Sequence, residues 1–374
     1  MMQRRFSVSI LRIIPALMIL AVSCISPIEF KVPGSLPLLV VDGMITNDPG
    51  PYTVKLFKSF VIDDRYENPV TEFGAEVILH DDDGNQEAFV EVDRGVYQTR
   101  GVMQGQVGKS YYITIKTVDG KQYESEPETI QPAGQLNELK YSYISKIEVI
   151  NGQEVPLRGF QIYVDGEAAG DARLLRWKMT GTYKILTFPE LKTRITDRGT
   201  FPDPLPCSGY RVTERVGTNG IEQIGPCVCC TCWLNTFSER PVLSDDRFTQ
   251  GQNFDDILVG FVPLDRRLFY EKFHVEVEQL SLNQNTYEFW QAVRDQKDGA
   301  TSLFQPPNAL ARGNIKALTP DEEVLGLFSA SGVSKRTLFL FPGFAPDLVL
   351  PIDTIRGSCL KVDPSATTNR PDFW

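Results

Sequence analysis

The residues best placed to do chemistry in this 374-residue chain are its cysteines. Cys207 and Cys359 flank a dense run, Cys227-Val-Cys229-Cys230-Thr-Cys232. Thiolates this close could hold a metal, but zinc sites usually space paired ligands by about two to four residues on each of two separate arms. Four thiols crowded into six positions suit disulfides better if the chain is exported, where oxidised pairs persist. Cys207 and Cys359 are each expected to bond into the cluster, with the connectivity left open. No metal site and no cofactor is expected.

The seventh cysteine, Cys24, poses a different question. Arg4, Arg5 and Arg12 make a positive start, Ile13 to Val22 is an apolar run of 10 residues containing Pro15, and small residues lead up to Cys24. This is the layout of a secretory signal. The run is too short to span a bilayer, which takes roughly 20 apolar residues. A cysteine directly after the small residues is the pattern of a bacterial lipoprotein signal, with Cys24 as the acylated residue. The expected division is 1–23 signal peptide and 24–36 tether. Without residues 1–23 the chain keeps 35 basic and 48 acidic residues, a net charge of −13. A body this acidic is a poor partner for nucleic acid, which selects basic faces.

Catalytic constellations are scarce. The two histidines are His80, beside Asp81-Asp82-Asp83, and His274, on the polar side of an alternating segment. No Gly-x-Ser-x-Gly nucleophile elbow accompanies them. The Asp81–Asp83 run could offer oxygens to calcium, but it lacks the spacing of a calcium loop and reads as a hairpin turn. A carboxylate-dependent hydrolase needs two acids at a set separation, which 48 acids do not single out. Trp177, Trp233, Trp290 and Trp374 could stack on a sugar or anchor a protein, although aromatics at strand spacing are first of all core. The final pair, Phe373-Trp374, is expected to tuck against the body.

These residues must be positioned mostly by strands. Tyr52, Val54 and Leu56 alternate with polar neighbours, as do Ala75, Val77 and Leu79, and Tyr111, Ile113 and Ile115, with Asp83-Gly84 and Asp119-Gly120 as hairpin signals. The expected fold class is all-β. An N-terminal Ig/transthyretin-like β-sandwich is placed at 37–131. A larger strand-rich domain at 135–374 follows, with one main helix and a disulfide-rich loop over 187–235. In that domain Phe160, Ile162 and Val164 alternate, as do Leu175, Trp177 and Met179. Phe273, Val275 and Val277 face one way, opposite His274, Glu276 and Glu278. The helix is expected to start at a capping box formed by Ser281 and Gln284 and to end at Gly299.

Six stretches resemble a Bacteroidota lipoprotein family known as domain of unknown function 4249. They are Leu39 to Leu56 (LVVDGMITNDPGPYTVKL), Cys230-Thr-Cys-Trp233, Tyr287-Glu-Phe-Trp290, Arg312-Gly-Asn-Ile315, Val324-Leu-Gly-Leu-Phe-Ser329 and Pro371-Asp-Phe-Trp374. The likeness spans about residues 24–374, and its motifs are structural, so it transfers no catalytic residue. Near Cys359 the family often has a second cysteine where this chain has Leu360-Lys-Val-Asp363. The resemblance implies a lipid-anchored outer-membrane protein encoded near TonB-dependent transporters. The resulting expectation is a non-enzymatic accessory subunit that binds a ligand or docks on such a barrel, with the leaflet left open. The alternatives are a structural or adhesive envelope protein and, third, a carboxylate-dependent surface hydrolase.

Overall fold

A computed structural model describes residues 37–59, 70–150, 153–169, 173–215, 218–238, 240–244, 253–265, 267–299, 311–320, 322–345 and 354–374. Cys24, the signal segment and the tether lie outside the described residues.

The first strands are β1 (Leu39–Thr46), β2 (Thr53–Lys58), β3 (Glu76–Asp81), β4 (Gln86–Ala88), β5 (Val90–Asp93), β6 (Val96–Gln98), β7 (Ser110–Lys116), β8 (Gln122–Ser125) and β9 (Glu128–Thr129). Their period-two apolar positions are the buried ones: Val54 and Leu56, Val77 and Leu79, Tyr111, Ile113 and Ile115. Gly84 and Gly120 take positive φ in the tight turns at Asp83-Gly84 and Asp119-Gly120.

The next strands are β10 (Gln135–Ile150), β11 (Gln153–Glu167), β12 (Leu175–Leu186), β13 (Thr193–Thr196), β14 (Gly199–Pro202), β15 (Tyr210–Arg215), β16 (Thr218–Gln223), β17 (Thr231–Phe237), β18 (Val242–Leu243), β19 (Asn253–Pro263) and β20 (Phe273–Ser281). Helix α1 (Gln284–Gly299) follows, then β21 (Ile315–Ala317), β22 (Val324–Ser331) and β23 (Val333–Leu340). The mostly β class, the single α-helix among the described residues and the disulfide-rich region agree with the sequence reading.

The first sandwich is not a continuous stretch of chain. One sheet runs β22-β1-β2-β6-β5 and the other β21-β8-β7-β3-β4, with β9 on β7. Strand β22 lies parallel to β1 from Leu39 opposite Val324 to Thr46 opposite Ser331, and β21 pairs with β8. The chain does leave this sandwich after β9, near the expected boundary. However, segments 315–317 and 324–331, assigned from sequence to the second domain, complete both of its sheets. The reason lies in β22 itself. From Gly326 to Ser331 it is buried on both faces, as a parallel strand between layers must be, and Phe328 is fully buried in the first core. Gly326 has φ +102°, and a Cβ there would lie 1.9 Å from Val41 O, so the β1–β22 approach requires glycine.

The second sandwich stacks the sheet β10-β11-β19 on the sheet β17-β12-β20-β23, with β18 also on β12. Its core joins Phe160, Ile162 and Val164 to Trp177, Phe273 and Val277. Between β12 and β17, in place of the irregular loop expected over 187–235, the chain forms two hairpins, β13–β14 and β15–β16. Helix α1 has the expected extent, but Ser281 does not cap it. Ser281 ends β20, and its hydroxyl donates to Gln131 O and accepts the Gly332 N–H at 2.8 Å. The carbonyl of Asn283 receives the Tyr287 N–H instead. The helix then lays Trp290 over the Arg176 guanidinium, 3.4 Å from ring centroid to Cζ.

Residues 37–131 produced alone are expected to show no cooperative thermal transition by circular dichroism, because Val41, Ile45 and Val54 lose the β22 side of their core. A sharp transition equal to that of the full chain would show β21 and β22 to be dispensable.

Candidate functional site

Among the described residues, one cavity opens in the second sandwich and a cleft lies beside α1. The larger, about 620 Å³, opens at the end of the second sandwich where β19 stops. Its wall includes Leu157, Arg158, Tyr183, Asp265, Arg267 and Leu268. Strand β19 pairs with β11 only as far as Pro263 opposite Gly159. Beyond that point β10 and β11 continue as a two-stranded ribbon, and Pro156, Leu157 and Arg158 of β11 form part of the cavity wall. Asp265 Oδ1 accepts the Arg267 N–H at 2.6 Å. Tyr183 stacks on Phe273, and burial raises its phenol pKa, with Asp363 and Asp265 adding to the effect. The wall mixes aliphatic side chains and a tyrosine with two arginines and an aspartate.

The second cleft, about 470 Å³, lies between α1 and the first sandwich. Glu126, Asn285, Glu288, Phe289 and Arg312 line it. Glu126 and Glu288 are the kind of acid pair a hydrolase would use, yet both carboxylates have partners. Lys316 Nζ sits 2.6 Å from Glu126, and the Gln284 side chain donates to Glu288 at 2.7 Å.

Beneath this cleft is an acid that the sequence did not single out. Glu128, on β9, is 5% exposed and accepts hydrogen bonds from Thr286 Oγ1, Asn283 Nδ2 and Asn314 Nδ2. The Ala330 N–H also bonds to it, and Asn314 in turn brackets the Phe328 backbone at 2.7 and 3.0 Å. Burial raises the Glu128 pKa, and these donors pull it back only in part. A buried acid looks like any surface acid in a sequence. Among its partners, Asn314 lies in the Arg312-Gly-Asn-Ile315 stretch and Asn283 and Thr286 in the helix read from Ser281 to Gly299, but nothing in the sequence joins them to Glu128.

The two histidines are committed to packing. His80 Nε2 lies 2.8 Å from Thr114 Oγ1, its ring stacks on Tyr112, and burial lowers its pKa. His274 is 2% exposed on the outer side of β20, stacked on Phe373 at 4.0 Å and tilted against Phe339. Burial, with Lys272 nearby, pushes its pKa down to about 4. The side expected to be polar is therefore roofed by the C-terminal segment. Trp374 is 9% exposed against Trp233 and Phe339, and Lys272 Nζ lies over both the Phe339 and Trp374 rings. Asp81 serves its own turn, accepting from the Asp83 and Asn85 backbone and the Asn85 side chain, while Lys109 pairs with Asp83. Among the described residues no cluster of three or more His, Cys, Asp or Glu is placed to hold a metal.

The cysteines pair as Cys207–Cys229, Cys227–Cys230 and Cys232–Cys359. Cys207 and Cys359 thus each bond into the cluster. The first two bridges pin the inserted hairpins. The third ties β17 to the C-terminal segment across 127 residues, where Thr367 forms a bridge with Trp233. No helix among the described residues is long and apolar enough to cross a membrane.

Strand pairing and core define a protein of two β-sandwiches knitted together by a returning strand pair, with clefts and no assembled catalytic group among the described residues. The chain matches the family described as Domain of unknown function (DUF4249) over residues 25–337, and it belongs to that family. No curated protein matches it. Among solved structures, a two fibronectin type III domain segment from chicken tenascin is similar at 14% identity, over 66% of this chain and 90% of that one, with a TM-score of 0.14.

Two measurements test this description. Below pH ~6.5 the unfolded chain protonates His274 while the folded one resists until about 4, so stability falls across that window as pH drops. The loss is expected to be about 3 kcal/mol, and His274→Phe should flatten the Tm-versus-pH curve between pH 7 and 4. An unchanged curve would mean the ring is not held neutral. Cys359→Ser should lower stability by about 2–5 kcal/mol through loss of a long closed loop. It should also make the Trp374 environment solvent-like in fluorescence, and an unshifted emission spectrum would contradict the role of the Cys232–Cys359 bridge in holding the C-terminal segment on β17.

Proposed function

We propose that this chain is a non-catalytic lipoprotein of the bacterial outer membrane. In this reading Cys24 carries the lipid, and the body acts as an accessory ligand-binding or docking subunit beside a TonB-dependent transporter. The observation that carries the proposal is the Arg-rich, short-apolar, small-residue approach to Cys24, placed ahead of a body with three disulfides. Disulfides persist outside the reducing cytosol, so the two features point to the same side of the inner membrane. A single acyl chain holds a protein only marginally, whereas several chains make release negligible, so a triacylated cysteine would serve as a permanent anchor.

A binding role fits the surface. The histidines, Glu128 and the Asp81 turn all support structure, while the cavity at the β10–β11 ribbon combines apolar wall with arginine at an open end of the sandwich. This is a place where β-sandwiches can present a ligand site without altering their core. Family membership is compatible with the reading and assigns no activity.

Metabolic labelling with an alkyne fatty acid should mark the full chain and not its Cys24→Ala variant, which should leave the membrane fraction. Purification of the labelled protein in mild detergent should bring down an outer-membrane barrel. An unlabelled parent chain would refute the anchor, and recovery without any barrel would refute the docking role.

A further inference from the structure

Strand β10 is 16 residues long and lies at the edge of its sheet, so one of its sides has no strand partner among the described residues. Such an edge is a template for another strand unless something blunts it. The opposite side of the ribbon is blunted. Leu264 N–H donates to Arg158 O, so Arg158 faces the β19 lane. Pro156, two residues earlier on the same side, has no N–H to offer there.

Among the described residues, no proline and no hydrogen-bonded strand blunts the open side of β10. Arg158 is opposite Ser145, so the backbone groups of Ser145 point to the open side, and by alternation so do those of Tyr141, Tyr143 and Ile147. From Glu138 to Glu148 the sequence ELKYSYISKIE contains no proline or glycine and is rich in aromatic and β-branched residues. Ile147 is 68% exposed, and Tyr141 is 42% exposed with its ring stacked on Phe344 of its own chain.

We propose that β10 is a homodimerisation edge, on which a second copy of this chain adds its own β10 antiparallel, with Ser142 on the two-fold axis. A two-fold normal to the sheet places one residue on the axis, and the charges choose among the possibilities. With Ser142 there, Glu138 faces the partner's Lys146 and Tyr141 faces the partner's Tyr143, twice each by symmetry. Glu138 has no ion pair within its own chain among the described residues, so this contact meets an unmatched charge. Moving the axis to Tyr143 sets Lys140 against the partner's Lys146 and Glu138 against the partner's Glu148, which repel. Moving it to Ile144 pulls Lys140 out of a bridge to two carboxylates, Asp165 and Asp256, whereas the Ser142 register draws Lys146 only from its exposed neighbour on the same strand, Glu148. The occupant is thus selected by self-complementary charge and by the isologous contact that a two-fold demands.

The test uses the full chain in detergent. Light scattering should give a dimer. Glu138→Lys and Lys146→Glu, each placing like charges in register, should weaken association by about tenfold, and the double swap should restore it. Ser142→Cys should crosslink to dimer under mild oxidation while the parent chain, Tyr143→Cys and Ile144→Cys do not. A monomer at every concentration, a double swap that fails to rescue, or stronger crosslinking at 143 or 144 than at 142 would each overturn the proposal.

Discussion

One buried carboxylate holds the two halves of this protein to each other. Glu128 opens β9, the last strand of the first sandwich before the chain departs, and its oxygens are satisfied by groups from three distant places: Asn283 and Thr286 at the start of α1, Asn314 ahead of β21, and Ala330 in β22. An isolated buried carboxylate is very costly, and a hydrogen-bonded one is tolerable. The requirement therefore works as a constraint. Helix α1, the 314 turn and β22 must all be in place before Glu128 can be buried. Around it, Ser281 bonds to Gln131, Asn47 accepts the Val333 N–H, and Lys335 bridges Glu278 of the second sandwich to Asp48 of the first.

The same constraint explains why the domain limits looked simpler in sequence than in space. Alternation along β2, β3, β7, β11, β12 and β20 was legible because each of these strands buries one side against a core. The hairpin glycines were legible because their positive φ is a local property. Strand β22 reads as a short apolar run, and nothing local says that its neighbour is β1, nearly 300 residues earlier in the chain. Ser281 and Gln284 have the spacing of a helix cap, but the same hydroxyl at a strand end found a carbonyl from the first sandwich. Spacing alone cannot separate the two uses. Cysteine chemistry was legible as to class, and the pairing of Cys232 with Cys359 depends on the C-terminal segment folding back along β17.

The candidate site was less legible than the fold. Arg158 and Tyr183 are unremarkable in sequence, and the cavity they share exists because β19 ends sooner than the two strands beside it. The polar side of β20 read as solvent-facing. Instead, a cross-strand Lys178–Glu278–Lys335 bridge and the Phe373 and Trp374 rings cover much of it. The histidines that a search for catalysis would seize on are thereby drawn into packing, and the end of the second sandwich keeps a cavity lined by Arg158 and Tyr183.

The central structural claim is that both sandwiches fold and unfold as one unit through Glu128. Native-state hydrogen exchange in increasing denaturant tests it most directly. Amides of β1, β7, β12 and β20 should share one opening free energy, and Glu128→Ala should lower it equally in both sandwiches. Loss of protection confined to β1 and β7, with β12 and β20 unchanged, would contradict the account.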